Sequence, residues 1–406
     1  MKAPGVHPAY VVIAAGVAAA LHVGKLSPAL PALEQSLGVT LLQAGFLLSL
    51  VQLAGMLLGL AVGLAADGLG LRRSMLSGLF LLSLASLLGG WAQDVYTLLA
   101  LRAVEGLGFL LVSMPAPSLI RHLVQPQRMS AMLGLWGAYM PLGTAVALLC
   151  GPLVIALSAW QAWWWGLATV TLGLAWWVWR VVPSDRLRAL SSPSAKGSDR
   201  RAWILRLRQT LSAPGPWLVA LSFAVYSGQW LAVIGFLPTI YSQAGVAGGT
   251  SAVLTALVAG VNMVGNIASG RLLGRGVPAQ FLLYTGFTVM GLGTLLAFFV
   301  WPMAAGGTGL PASVRFMAVL FFSMVGGMIP GTLFSLAVRL APGEGTISTT
   351  VGWMQQWASL GQFVGPPLVA WVASGAGGWH WTWVVTGACS GIGLLLAWRL
   401  GLRSKS

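Results

Sequence analysis

A chain of 406 residues that is 57% hydrophobic and only 7% charged has too little polar surface to cover a water-exposed body of its size, since soluble domains carry roughly 25% charged residues. With a mean hydropathy of +0.85, this excludes the soluble globular class and points to a chain that crosses a bilayer many times. The net charge of +15 does not indicate nucleic acid as a partner, because the basic residues are spaced between apolar blocks rather than pooled on one domain.

A spanning helix needs about 20 mostly apolar residues. In chain order, twelve such blocks are predicted, at 9–34, 41–65, 73–91, 97–120, 129–156, 160–182, 215–242, 250–272, 279–301, 313–339, 346–374 and 379–402; they are called spans 1 to 12. The first is as long as a full span and ends in polar and charged residues rather than at a small-residue cleavage site, so no cleavable leader is expected. Between spans 6 and 7 stands "RVVPSDRLRALSSPSAKGSDRRAWILRLRQ", rich in Arg, Ser and Pro. The expected organisation is an N-terminal six-helix bundle (1–182), a basic cytoplasmic linker (183–212) and a C-terminal six-helix bundle (213–406). Cys150 and Cys389 fall inside apolar blocks, where free thiols rather than a disulfide are expected.

The charges set a direction. With the N-terminus in the cytoplasm, alternate loops place 19 of the 22 Lys and Arg on the inner side. The other three, Lys25, Arg102 and Arg315, lie in or at the edge of helices, and the outer loops receive none. This is the positive-inside pattern. It predicts twelve spans with both termini cytoplasmic, in a bacterial-type inner (plasma) membrane. Arg315 lies so near an outer helix end that an interfacial role is expected, as it is for the tryptophans Trp163, Trp164, Trp165, Trp379, Trp381 and Trp383.

The two halves also repeat. "SMPAPSLIRHLVQPQR…LGLWGAYMPLGTAVALLCGPLVIAL" resembles "GMIPGTLFSLAVRLAPGEG…VGWMQQWASLGQFVGPPLVAWV". Each has a proline-interrupted helix, a proline-containing inner loop and a Gly-rich helix ending in Gly-Pro. The expected fold class is therefore an all-α membrane protein with twelve transmembrane helices in two pseudo-symmetric six-helix bundles. Parallel repeats of this kind imply alternating access around a midplane site.

Within that frame a few ionisable and polar residues stand out. Span 1 reads "ALHVGKLSPALPAL" over 20–33, with His22 and Lys25 three apart and so on nearly one face. Span 4 reads "LLALRAVEGLG", with Arg102 and Glu105. Charges inside a span cost about 2.5–3.5 kcal/mol on insertion scales and mark functional sites or paired groups. At 1.5 Å per residue, Lys25 lies about 13 Å below the outer end of span 1, and Glu105 about 12 Å below that of span 4. The matching depths predict a Lys25–Glu105 pair. Structural alternatives stand beside it: Lys25 snorkelling outward, His22 donating to a backbone carbonyl, and Arg102–Glu105 acting only to lock span 4. The remaining candidates are neutral: Gln229 and Tyr226 on span 7, then Gln52, Tyr139, Asn262, Asn266 and Gln355. Buried amides of this kind bind either substrate or other helices.

Between spans 2 and 3, "GLAADGLGLRR" holds Gly63, Asp67, Gly70, Arg72 and Arg73. A carboxylate at a helix end, a tight glycine turn and two arginines suit a clip between neighbouring helices. With the twelve spans and the repeat, this loop resembles the loop 2–3 signature of the major facilitator superfamily, and "MPAPSLIRHLVQPQRMSAMLGLWGA" resembles the superfamily's cyanate and nitroimidazole permease branch. The resemblance implies that Asp67, Arg72 and Arg73 gate the inner side. It also implies that spans 1, 4, 7 and 10 line a central cavity, so that His22, Lys25, Arg102 and Glu105 share its wall with Gln229. Span 5 lacks the tight glycine-proline core of the superfamily's drug/proton antiporters, with Met140-Pro141-Leu142-Gly143 in its place.

The expected function is secondary active transport by alternating access, coupled to protons, of a small anionic solute. The cluster carries +1 with His22 neutral, and His22 or Glu105 is the expected proton carrier. The alternatives are proton-driven drug or metabolite efflux and, in another class, a non-transporting membrane receptor or sensor, for whose signalling domain the linker is short. No catalytic residues, metal ligands or cofactors are predicted. The expected partners are a small-molecule substrate, protons and the bilayer, with the protein a monomer.

Overall fold

The computed structural model describes residues 7–125, 128, 132, 135–185, 200–300, 309–343 and 346–403, with the backbone alone for 62–69, 200–203 and 403. It is built of helices. Ten stretches are long and apolar enough to cross a membrane, from Pro8–Leu37 to Trp379–Leu402. Span 6, Trp160–Val181, and span 11, Ile347–Gly375, complete the twelve. They have the length but are diluted, span 6 by tryptophan and span 11 by Gln355, Gln356, Gln362 and two prolines. Spans 1–6 and 7–12 each form a six-helix bundle, and the even number of crossings puts both termini on one face, called here the terminal face.

Spans 1 and 7 occupy the centre. Their apolar stretches are 78% and 83% buried, against 33–56% for the other eight that qualify. Span 1 is broken: one helix runs Pro8–Gly24, a second Leu26–Leu37, and Lys25 lies between them. The pyrrolidine of Pro28 crowds the carbonyl four residues back and offers it no N–H, which accounts for a break at this level. Breaks recur at matching places in the two halves. Span 2 passes through a 3-10 turn at Leu50–Gln52, and span 8 is interrupted at Val261. Span 4 is interrupted at Met114–Pro115, and span 10 at Gly327.

Within each bundle, close crossings need residues without side chains. A Cβ on Gly361 would lie 2.0 Å from the carbonyl oxygen of Ala224, and one on Gly228 2.6 Å from that of Gly361. Spans 7 and 11 therefore meet backbone to backbone, as small-residue interfaces in lipid allow. Between the bundles, span 2 runs along span 11 and the first part of span 8 (Gly248–Gly260) lies against span 5. Span 4 starts cleanly because Asp94 caps it, accepting from the amide of Thr97 at 2.9 Å and from its hydroxyl at 2.6 Å. Those bonds, the hydroxyl first, hold the Asp94 carboxyl below the usual carboxylate range.

Candidate functional site

The four charged or ionisable residues of spans 1 and 4 come together. Glu105 sits between two cations: one carboxylate oxygen pairs with the ammonium of Lys25, the other accepts from Arg102 at 2.6 Å. Lys25 also donates to Ser86 Oγ on span 3 at 3.0 Å and lies 4.8 Å over the Trp164 ring of span 6. Ser86 in turn donates to the Trp164 carbonyl. Arg102 spends its other donors on backbone, reaching the carbonyls of Leu47 at 2.9 Å, His22 at 2.6 Å and Val23 at 3.3 Å. The last two lie just before the break of span 1, so Arg102 fastens the helix where its own ladder is interrupted. His22 Nε2 lies 2.8 Å from Thr171 Oγ1 on span 6. Its Nδ1 has no hydrogen-bond partner and stands 3.8 Å from the Glu105 carboxylate.

All four are at most 2% exposed, and the adjoining void, lined in part by Arg102, Glu105 and Trp164, holds about 10 Å³, the least that takes one water. Every partner named here belongs to spans 1–4 and 6. The expected cavity wall is thus replaced by the close-packed interior of the N-terminal bundle. The reason is physical: two cations and one anion removed from water are tolerable only when they satisfy one another, and spans 3 and 6 supply the hydroxyls and the ring that complete the set. The tryptophan expectation is corrected in part as well. Trp163 and Trp164 are 6% and 2% exposed, and Trp163 donates to the Lys25 carbonyl at 3.2 Å. They belong to the cluster's surroundings, not to an interfacial belt.

The C-terminal half carries a neutral counterpart. Gln229 accepts from Ser390 on span 12 at 3.1 Å, as span 1 reaches span 6, and its amide nitrogen is buried without a partner. Asn262, at the break of span 8, donates to Tyr226 at 3.0 Å and to the Ser323 carbonyl at 2.8 Å, while Asn266 donates to Asn262 at 3.2 Å. Gln52 accepts from Ser359 across the two bundles at 3.3 Å and leaves its own amide nitrogen unpartnered. Gln356 bridges the same bundles, donating to the Met56 carbonyl and accepting from the Leu60 amide. Tyr139 stacks on Trp136 with ring centroids 4.2 Å apart, and Gln355 is half-buried.

On the terminal face, Gly70 turns the chain with φ +89°, a conformation that favours glycine. Gly63 lies in the helix that precedes it, and the side chain of Asp67 falls outside the described residues. The acid that meets this turn is Asp185, just past span 6. Its two oxygens accept from the amides of Arg72 and Arg73 at 3.1 Å each, capping span 3, while Arg72 donates to the Trp179 carbonyl. By sequence Asp185 belongs to the 183–212 linker, and no local pattern there connects it with this loop.

The family model of the Major Facilitator Superfamily matches residues 9–358. The chain belongs to the major facilitator superfamily. Over 386 residues it is 27% identical to the 4-hydroxybenzoate transporter PcaK of Pseudomonas aeruginosa, covering 86% of this chain and 81% of that one. Over 241 residues it is 25% identical to the cyanate transport protein CynX of Escherichia coli, 58% of each chain. A 152-residue stretch, 37% of this chain, is 33% identical to the puromycin resistance protein pur8 of Streptomyces alboniger, of which it spans only 30%. The xylose transporter XylE from E. coli has the same fold, with a TM-score of 0.75, 14% identity and 96% of each chain covered. As a superfamily member the protein is a multi-pass membrane transporter and not an enzyme.

Proposed function

We propose that this transporter couples protons to the movement of a small anionic solute by alternating access, as a monomer in a bacterial-type inner membrane with both termini cytoplasmic. The observation that carries the reading is Glu105, held between Lys25 and Arg102 in a buried, close-packed interior with the Nδ1 of His22, which has no hydrogen-bond partner, 3.8 Å away. A proton taken up on Glu105 or His22 changes how strongly Lys25 is bound. Lys25 is the residue at which span 1 breaks, and span 1 lies at the centre of the molecule. Proton occupancy thereby biases the position of the helix about which the bundles move. With Glu105 charged and His22 neutral the cluster carries +1, a field that favours an anion in the neighbouring space.

The solute itself is assigned to the space between the bundles. Gln52, which meets Ser359 of the opposite bundle, brings a buried amide nitrogen without a partner, a donor suited to a carboxylate or to cyanate, and Gln229, beside Ser390 inside the C-terminal bundle, has a second. Tyr139, Tyr226, Asn262, Asn266 and Gln355 complete the candidate set. On the terminal face, Gly63, Asp67, Gly70, Arg72 and Arg73 form the proposed inner gate. Two relatives are named for small anions, 4-hydroxybenzoate and cyanate, which supports the anion class.

Purified protein in liposomes with an internal pH dye tests this. The expected result is that an inward gradient of 4-hydroxybenzoate, cyanate or a short carboxylate acidifies the lumen, while xylose does not. Luminal pH changes provoked only by cationic drugs such as puromycin would overturn the reading in favour of efflux by proton antiport.

A further inference from the structure

On the terminal face, between the start of span 3 and the end of span 6, lies a cavity of about 370 Å³. Arg72, Arg73, Leu76, Trp179, Ser184 and Asp185 line it. Asp185 gives an oxygen to each of the backbone amides of Arg72 and Arg73, so it offsets the positive end of span 3. One guanidinium nitrogen of Arg72 goes to the Trp179 carbonyl, and its Nε is buried with no partner. At the rim, Arg180 stacks over Trp176 and Trp179 at 5.5 and 5.6 Å. These two rings are 59% and 54% exposed, on the outer surface of a spanning helix at its very end.

This combination has a definite chemical complement. Among the described side chains, Arg72, Arg73 and Arg180 stand near one carboxylate, Asp185. A guanidinium N–H is buried without an acceptor, and two tryptophans face outward at the level where spans leave the bilayer, the level of lipid headgroups. Arg forks match phosphate oxygens in geometry and charge. A cavity of this size is at the small end of the roughly 300–1,000 Å³ typical of ligand pockets, fit for a headgroup but not for a whole lipid. We propose that the cavity is a binding site for an anionic phospholipid of the leaflet on the terminal face. Its phosphate meets Arg72 Nε and Arg73, and its acyl chains leave along Leu76, Trp179 and Trp176. Because the site joins the loop after span 2 to the segment after span 6, a bound lipid ties the proposed gate to the linker.

Native mass spectrometry of the purified full chain in detergent tests this, titrated separately with phosphatidylglycerol, phosphatidylcholine and inorganic phosphate. One phosphatidylglycerol is expected to bind at least fivefold more tightly than phosphatidylcholine. Arg73→Gln, a change at an exposed side chain, is expected to remove that preference. So is Leu76→Trp, which keeps every charge and fills the cavity. Equal binding of the two lipids to the wild-type protein would overturn the proposal, as would an undiminished preference in both variants. Inorganic phosphate displacing the lipid at equal concentration would also overturn it, because the site would then take a free anion rather than a lipid.

Discussion

Glu105 accepts from two cations at once, and that arrangement fixes a ranking of substitutions. Glu105→Ala leaves Lys25 and Arg102 buried without their anion and is expected to destabilise the protein by about 3–5 kcal/mol, the cost of stripping a partner from a buried pair. Lys25→Ala leaves Glu105 still paired with Arg102 and is expected to cost less. Melting of the purified variants in one detergent checks the order, and Lys25→Ala melting lower than Glu105→Ala would refute it. The pair was legible in the sequence because each helix begins or ends at a marked loop, so depth follows from counting residues. Its surroundings were not. Ser86 and Thr171 are ordinary small polar residues on spans 3 and 6, and nothing in their local pattern sets them apart from others that only bond their own helix, such as Thr169. Which face of span 1 His22 and Lys25 would present, to the cavity or to the bundle interior, depends on how spans 3 and 6 pack, and that is a tertiary fact.

At the level of the helices, proline made some breaks readable and left others silent. The proline-interrupted helices of spans 4 and 10 stood out in the repeat and correspond to breaks at Met114–Pro115 and Gly327. The turn at Leu50–Gln52 in span 2 has no proline, and its counterpart at Val261 has none either; both arise where the span packs rather than from a local signal. The crossing of spans 7 and 11 gives a sharp test. Gly361→Leu would drive a side chain into the backbone of Ala224, and the two helices have no slack at that point. The variant is expected to lose its monodisperse peak on size-exclusion chromatography. Gly391→Ala, where nothing lies within 4 Å, is expected to elute and melt as the wild type. A well-behaved Gly361→Leu protein would show that the spans do not meet as closely as described.

Across the whole molecule the two halves share architecture but not charge. Span 1 reaches span 6 through Lys25 and His22, and span 7 reaches span 12 through the neutral Gln229–Ser390 bond. Among the described residues the buried set of Lys25, Arg102 and Glu105 has no charged counterpart in the middle of spans 7 to 12, so the proposed proton coupling is assigned to the N-terminal bundle. The count of spans, the repeat and the family were all written in hydropathy, charge placement and loop motifs, which depend on the bilayer rather than on packing detail. The asymmetry was visible too, since no Asp, Glu, Lys or Arg lies in the middle of spans 7 to 12. The claim is tested most directly by comparing wild type with Glu105→Gln in liposomes holding the solute that moves protons. Two modes are measured, exchange of labelled for unlabelled solute and accumulation driven by an imposed pH gradient. Glu105→Gln, which keeps the size and one accepting oxygen but loses the charge, is expected to retain exchange and lose at least tenfold in pH-driven accumulation. Accumulation undiminished in Glu105→Gln, with the same dependence on the imposed gradient, would contradict the assignment of proton coupling to this cluster.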